Sequence, residues 1–291
     1  MNYAEVIGDP IAQSKSPAIH KFWLGQLGIA ADYRACHVAA AGLADYFAAR
    51  RIDPDWRGCN ITMPHKQTAM ALVDGLDPLA RRIGAINTVV RGPGGGLTGY
   101  NTDAAGFLEP LQPLLEGSHL VRMARVIGAG GAARAIVAAL ADHNFTLVLA
   151  ARDPAKARAL LDELAPAGEH HTPPLSHFAP PTDFAFDDRS QLLDLVVNAS
   201  PLGMAGQPPL QLDPSHFPPG STVYDIVTNP LETPLLAAAR AAGFATIDGL
   251  AMLIGQAAAA FQMFFGQPAP RECDAELRKF LTPGRTHLSL A

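Results

Sequence analysis

Four short polar clusters in this sequence stand at strand ends or in loops, and two of them hold a lysine. The stretch NITMPHK (60–66) alternates apolar and polar residues like the end of a strand, reaches Pro64 and, two residues on, Lys66. Of 22 Lys+Arg residues only five are lysines (Lys15, Lys21, Lys66, Lys156 and Lys279), so lysine is scarce here. Proline has no N–H to give a strand ladder, so the chain turns and Lys66 projects from the turn. The other clusters are SKS (14–16), Asn87 and NTD (101–103), which ends on Asp103 where a hairpin closes. A lysine and a carboxylate facing one pocket share proton duties and shift each other's titration. Lys66 and Asp103 are therefore the candidate acid–base pair. Asp103 also stands where a helix N-cap belongs, because a helical stretch starts at Ala104, and the two roles are compatible.

A second chemistry is written in GAGGAA (128–133), which directly follows a strand and opens a helix. Gly128, Gly130 and Ala133 match G-x-G-x-x-G/A, in which glycines permit a tight turn and let backbone approach a pyrophosphate on the positive helix N-terminus. The expected ligand is a nicotinamide dinucleotide. NAD sites place Asp or Glu near the end of the next strand, for the ribose 2′-OH. Here that strand ends Ala150, Ala151, Arg152, with Lys156 one helical turn later. Two cations and no strand-terminal acid suit a 2′-phosphate, hence NADP. Asp153 lies beside them and reads as the cap of the following helix. A nicotinamide enzyme acting on an alcohol must remove a proton from oxygen as hydride leaves carbon, and Lys66 fits that task.

The elements that must position these groups form two series. YAEVIG (3–8), ADYRACHV and GCNITM (58–63) read as strands, PAIHKFWLGQLG (17–28) and AGLADYFAARR as helices, the first with Ser16 as N-cap and Pro17 at its first position. NTVVRGPGGGLTGYN (87–101) reads as a hairpin. The pattern restarts with ARVIGAGGAARAIVAAL (124–140), TLVLAAR (146–152), LVVNAS (195–200), TVYDIV (222–227) and FATIDG (244–249), with helices between. Strands alternating with helices imply mostly parallel α/β sheets, and 291 residues favour two domains. The stretch 166–190 holds five prolines and three histidines without a clear period and reads as an irregular loop. His170, His171 and His177 in it offer no fixed ligand geometry, so no metal is expected.

Composition narrows the classes. Hydrophobic residues make up 48% and charged residues 17%, as in an ordered globular protein. The net charge of -5, with no basic stripe, argues against nucleic acid as a partner. Three dispersed cysteines suggest reduced thiols in a cytosol, and the N-terminus lacks a signal-peptide pattern. The apolar run 251–265 is too short to span a bilayer and contains Gln256 and Gln262, so it reads as a buried helix.

Taken together, GDPIAQSKSPAIH, NITMPHK, GAINT, GYNTDAAGF, GAGGAAR and DGLAMLIGQAA resemble, in order and across nearly the whole chain, the motif set of the shikimate dehydrogenase family. The resemblance implies NADP-dependent, reversible reduction of 3-dehydroshikimate to shikimate in aromatic amino-acid biosynthesis, in the cytoplasm, by a monomer or homodimer. It implies an N-terminal α/β substrate domain (1–103, completed by helices in 250–291), a Rossmann-like NADP-binding domain (104–249) and an active site in the cleft between them. By motif position it makes Lys66 and Asp103 catalytic, and Ser14, Ser16, Thr62, Asn87, Thr228 and Gln256 substrate-binding. Gly128, Ala129, Gly130, Gly131 and Ala132 would hold the pyrophosphate; Ala151, Arg152 and Lys156 would surround the adenosine phosphate. Ile226, Gly249 and Met252 complete the implied cofactor site. The chain departs from the family pattern in three places: Thr228 replaces a tyrosine and reaches less far, ARD (151–153) replaces N-R-T, and Tyr100 stands where aspartate is common. Two other readings fit: a paralogue using NAD or acting on quinate or an aminoshikimate, and a non-catalytic module that senses NADP or a metabolite.

Overall fold

The computed structural model describes residues 1–183 and 191–282, so the ends of the predicted loop 166–190 and of the C-terminal segment lie outside the described residues. The chain divides into two compact units. One comprises Met1–Asp77, Ile86–Thr102 and Ala257–Ala291; the other comprises Pro78–Ala85 and Asp103–Gln256.

The first unit is built on a six-stranded sheet. Its strands are β1 (Tyr3–Gly8), β2 (Asp32–His37), β3 (Trp56–Ile61), β4 (Gly75–Leu76), β5 (Thr88–Arg91) and β6 (Leu97–Tyr100), in the order β2-β1-β3-β5-β6-β4. β2, β1 and β3 run parallel, and the β5–β6 hairpin adds antiparallel to β3. All six residues of β1 are buried, as a central strand covered on both faces requires. Helix α1 (Ser16–Gln26) buries Ile19, His20, Trp23 and Leu24, a three-to-four spacing that puts them on one face. The expected N-cap, Ser16, is instead the first helical residue, and Lys15 occupies the cap without a side-chain bond. Helix α2 (Leu43–Arg51) is tied to β1 by Glu5, which is 2% exposed. That carboxylate accepts from Tyr46 Oη (2.8 Å), Arg50 Nε (2.7 Å) and Arg50 Nη2 (3.1 Å), and so is buried only with its charge matched.

The second unit carries a five-stranded parallel sheet: β7 (Val121–Ile127), β8 (Thr146–Ala150), β9 (Leu192–Asn198), β10 (Thr222–Asp225) and β11 (Ala245–Ile247), in the order β11-β10-β9-β7-β8. Its helices are α3 (Pro78–Ile83), α4 (Asp103–Leu108), α5 (Gln112–Leu115), α6 (Gly131–Asp142), α7 (Pro154–Leu164), α8 (Pro234–Ala241) and the start of α9 (Gly249–Phe265). Leu195 and Val197 pack on the α6 side while Val196 packs on the α8 side, the period-two alternation of a strand buried on both faces.

The stretch predicted to be an irregular loop is partly a sheet edge. Val148 bridges His171 and Ala151 bridges Pro174, both in parallel, with Leu149 N–H donating to His171 O at 2.8 Å. His170 Nδ1 accepts the Leu147 N–H at 3.0 Å, so this histidine serves the edge. Sequence reading failed here because prolines break the periodic pattern while leaving alternate backbone groups free to pair. With this segment counted as third, the strand order becomes 3-2-1-4-5-6, that of a Rossmann fold with its switch point between β7 and β9.

The C-terminal part of α9 and helix α10 (Asp274–Leu281) belong to the first unit, where Ala260 and Phe264 join Ala4, Val6 and Tyr33 in one apolar cluster. Lys15 Nζ donates to Leu281 O at 3.1 Å, joining α10 to the start of α1. No helix among the described residues is long and apolar enough to cross a membrane.

Candidate active site

The lysine turn is held by backbone and by a histidine that sequence reading missed. After β3, Thr62 N–H donates to Ile7 O (2.9 Å), the Met63–Pro64 peptide is cis, and His65 N–H returns to Thr62 O (3.1 Å). The His65 ring is 1% exposed and its Nε2 donates to Val38 O at 2.6 Å. Lys66 O accepts Ile86 N–H at 2.8 Å, so the half-buried lysine has its backbone fixed on both sides. His65 sits between Pro64 and Lys66, and that adjacency was the one available signal.

A buried polar chain leads from this strand to the residue before Asp103. Tyr33 Oη donates to Asn60 Oδ1 (2.6 Å), Asn60 Nδ2 to Thr88 Oγ1 (3.0 Å), and Thr88 Oγ1 to Asn87 Oδ1 (3.2 Å). Asn87 Oδ1 also accepts the Thr102 N–H at 2.7 Å, and Asn87 Nδ2 donates to Thr102 Oγ1 at 2.9 Å. Asn87, expected to bind substrate, is 2% exposed and orients the chain that enters α4 at Asp103. Ser14 Oγ accepts the Ser16 N–H at 3.3 Å; Ser16 is buried and Ser14 half-buried. Ser14, Ser16, Thr62, Lys66 and Asn87 all belong to the first unit, at or just beyond the ends of β1 and β3 and the start of β5.

In the second unit, Asp103 is the first residue of α4 and 4% exposed. Helix α4 packs on the start of α9 at Gly106, where a Cβ would lie 2.5 Å from Gln256 N and 2.7 Å from Met252 O. Both neighbours are backbone and cannot swing away. Gly106→Ala should therefore cost about 1–3 kcal/mol by overpacking and lower the Tm by several degrees, and an unchanged Tm would refute this reading of the contact. Gln256 is 8% exposed, and its Nε2 donates to Leu253 O at 3.2 Å.

The glycine turn follows β7 at the switch point. Gly128 has φ +115, and a Cβ there would sit 2.9 Å from Ala199 O at the end of β9. Its N–H donates to Ala150 O at 2.8 Å. Gly130, in contrast, has none of the described residues within 4 Å of an added Cβ, so none of them demands a glycine there. Helix α6 starts at Gly131 with no side-chain cap, leaving the dipole's positive end and Ala129–Ala132 for a ligand. At the end of β8, Ala151 is buried and Arg152 and Lys156 are exposed. Asp153 Oδ1 accepts from Ala155 N (3.0 Å) and Lys156 N (3.2 Å), the cap that the sequence suggested. Ile226 and Thr228 are half-buried after β10, Gly249 opens α9, and Met252 is 6% exposed within the apolar core. Burial pushes the Asp225 carboxyl above the usual carboxylate range, against three hydrogen bonds that favour its charged form. Among the described residues, no group of three or more His, Cys, Asp or Glu is arranged to hold a metal ion.

Residues 6–89 match the shikimate dehydrogenase substrate binding domain, and residues 249–276 match the shikimate 5′-dehydrogenase C-terminal domain. A shikimate dehydrogenase (NADP(+)) from Sphingopyxis alaskensis is 53% identical over 281 residues, 96% of this chain and 96% of the relative. The crystal structure of shikimate 5-dehydrogenase from Thermus thermophilus in complex with NADP(H) and shikimate is similar at a TM-score of 0.79 and 34% identity, covering 97% of this chain and 100% of that one. Quinate dehydrogenase from Corynebacterium glutamicum in complex with NAD is similar at a TM-score of 0.78 and 31% identity, covering 95% and 98%. Similarity of this strength, running from the lysine turn through the glycine turn to the start of α9, means that the chain belongs to the shikimate dehydrogenase family.

Proposed function

We propose that this protein catalyses the NADP-dependent, reversible reduction of 3-dehydroshikimate to shikimate, a step of aromatic amino-acid biosynthesis. The observation that carries this reading is the 53% identity, over 96% of both chains, to a relative named shikimate dehydrogenase (NADP(+)). The residues present fit the cofactor. The uncapped start of α6 and the open space at Gly130 suit a pyrophosphate. Arg152 and Lys156 suit a 2′-phosphate, and Asp153, which follows Arg152 in the chain, is engaged at the start of α7.

When bound, the nicotinamide supplies or takes up the hydride. Lys66 gives the proton to the developing alkoxide in reduction and takes it back in oxidation, with Asp103 sharing the charge. Ser14, Ser16, Thr62, Asn87 and Gln256 offer hydroxyl and amide groups to a ring bearing hydroxyls and a carboxylate. Thr228 would contact the same ring, with a shorter reach than a tyrosine. Ile226, Gly249 and Met252 lie on the nicotinamide side.

Absorbance at the nicotinamide band, with shikimate or quinate and NADP or NAD in four combinations, tests the assignment. Shikimate with NADP should turn over fastest. Faster turnover of quinate with NAD favours the paralogue that the Corynebacterium structure represents, and no turnover with any pair favours a sensor. Arg152→Ala should weaken NADP binding by roughly 1.5–3 kcal/mol, as expected for a lost charged hydrogen bond, with little effect on NAD. An unchanged ratio of KM values for NADPH and NADH would remove Arg152 from the phosphate site.

A further inference from the structure

Three side chains that the sequence did not single out form a fully buried clamp between the turns that follow β9 and β10. Asn198, Asp225 and Thr233 are all 0% exposed. Asp225 Oδ1 accepts from Asn198 Nδ2 and from Val227 N, each at 3.0 Å, and Asp225 Oδ2 accepts from Thr233 Oγ1 at 2.7 Å. All three partners are donors, so the geometry is matched to a carboxylate. Each partner holds a different piece of chain. Asn198 Oδ1 accepts from Ser200 N (3.1 Å) and Ser200 Oγ (2.7 Å), and its Nδ2 also donates to Leu202 O (2.9 Å), which shapes the turn after β9. Val227 belongs to the loop after β10. Thr233 caps α8 by accepting the Leu236 N–H at 3.3 Å.

Both clamped turns press against the candidate cofactor site. Ala199 O lies against Gly128 of the glycine turn. Ile226 O and Val227 O lie 2.6 Å and 2.3 Å from where a Cβ on Gly249 would sit, so this loop runs hard against the first residue of α9. A buried charge with three converging donors does not tolerate slack, because any partner that moves leaves the charge uncompensated.

We infer that Asp225 is a positioning residue for the nicotinamide half of the cofactor: through Asn198, Val227 N–H and Thr233 it sets the two turns that flank that half. The inference rests on the proposed assignment of Ile226 and Gly249 to the nicotinamide side. The adenosine end, at Ala151 to Lys156, receives none of these bonds.

Direct titration separates the two halves without requiring turnover. Asp225→Asn keeps the shape but sets an amide N–H₂ against the Thr233 hydroxyl, and Thr233→Val removes one donor more gently. Dissociation constants are measured by fluorescence for NADPH and by competition for adenosine 2′-monophosphate, which lacks the nicotinamide. Both variants should weaken NADPH by about tenfold or more, the scale of one charged hydrogen bond, and leave the monophosphate within about twofold. A purely structural role predicts a lower Tm with both constants unchanged, and that result overturns the inference. Equal weakening of both ligands overturns it as well. If Asp225→Asn does not fold, Thr233→Val decides alone. Absence of shikimate turnover in the wild type, with the NADPH ratio still shifted in the variants, would sink the reaction assignment and leave the clamp standing.

Discussion

Lys66→Ala is expected to lower kcat by roughly 10²–10⁴, the usual span for a lost general acid–base group. The expectation depends on how the lysine is held. Its backbone carbonyl accepts Ile86 N–H, and the preceding His65 ring is anchored on Val38 O, so the turn keeps its conformation when the side chain is cut back. The variant therefore reports on the ammonium and not on a collapsed loop. In the oxidative direction the hydroxyl proton loses its acceptor, and in the reductive direction the alkoxide loses its donor, so both should slow. Lys66→Arg should rescue poorly, because guanidinium stays protonated throughout the working range and cannot accept a proton. A kcat near wild type with only KM raised would show that Lys66 binds and does not catalyse.

The second large effect concerns acid stability and a side chain outside the site. His20, on α1, is 0% exposed, and its ring stacks on Tyr33 with centroids 3.9 Å apart and planes 3° apart. Trp23 and Phe261 flank it at 5.8 Å each, and neither ring nitrogen has a hydrogen-bond partner among the described residues. Burial alone lowers its pKa from 6.5 to about 3, because a charged imidazole in this aromatic box would be unsolvated. The unfolded chain takes up a proton below pH 6.5 while the folded one does not, so stability is fully present above that pH and declines as pH falls toward 3. The loss is about 1.4 kcal/mol per pH unit once the unfolded imidazole is charged, or roughly 2 kcal/mol between pH 6.5 and pH 5. Against typical net stabilities of about 5–15 kcal/mol that is a substantial fraction. His20→Phe keeps the stack and removes the titration. Urea unfolding at pH 7 and pH 5 should show the variant losing about 2 kcal/mol less than wild type. Equal losses in the two proteins would mean that His20 is protonated, or reached by water, in the folded state.

Several elements were legible because their causes are local. β1 was expected at 3–8 and runs Tyr3–Gly8. The glycine turn lies between β7 and α6, and Asp153 caps α7 with Pro154 next to it. Turn, cap and strand alternation are set by residues within a few positions of each other, so a reader of the chain sees cause and effect together. The start of α1 lies one residue earlier than the cap pattern implies: Ser before Pro17 matches the preferred N-cap, but Ile19 N–H donates to Lys15 O at 3.1 Å and so takes Ser16 into the helix.

What the sequence determined by itself was therefore the kind of protein: parallel α/β units, a phosphate-binding turn and a lysine at a strand end. What tertiary structure alone decided was which distant residues share bonds. The edge segment at 171–174 completes a Rossmann order only by pairing with β8. His65 anchors its turn on Val38, 27 residues away, and Asp225 reaches Asn198 across the same separation. Such pairings depend on how sheets stack and loops close, and the free energy that selects them is summed over the whole packed core, so no short stretch of chain records it.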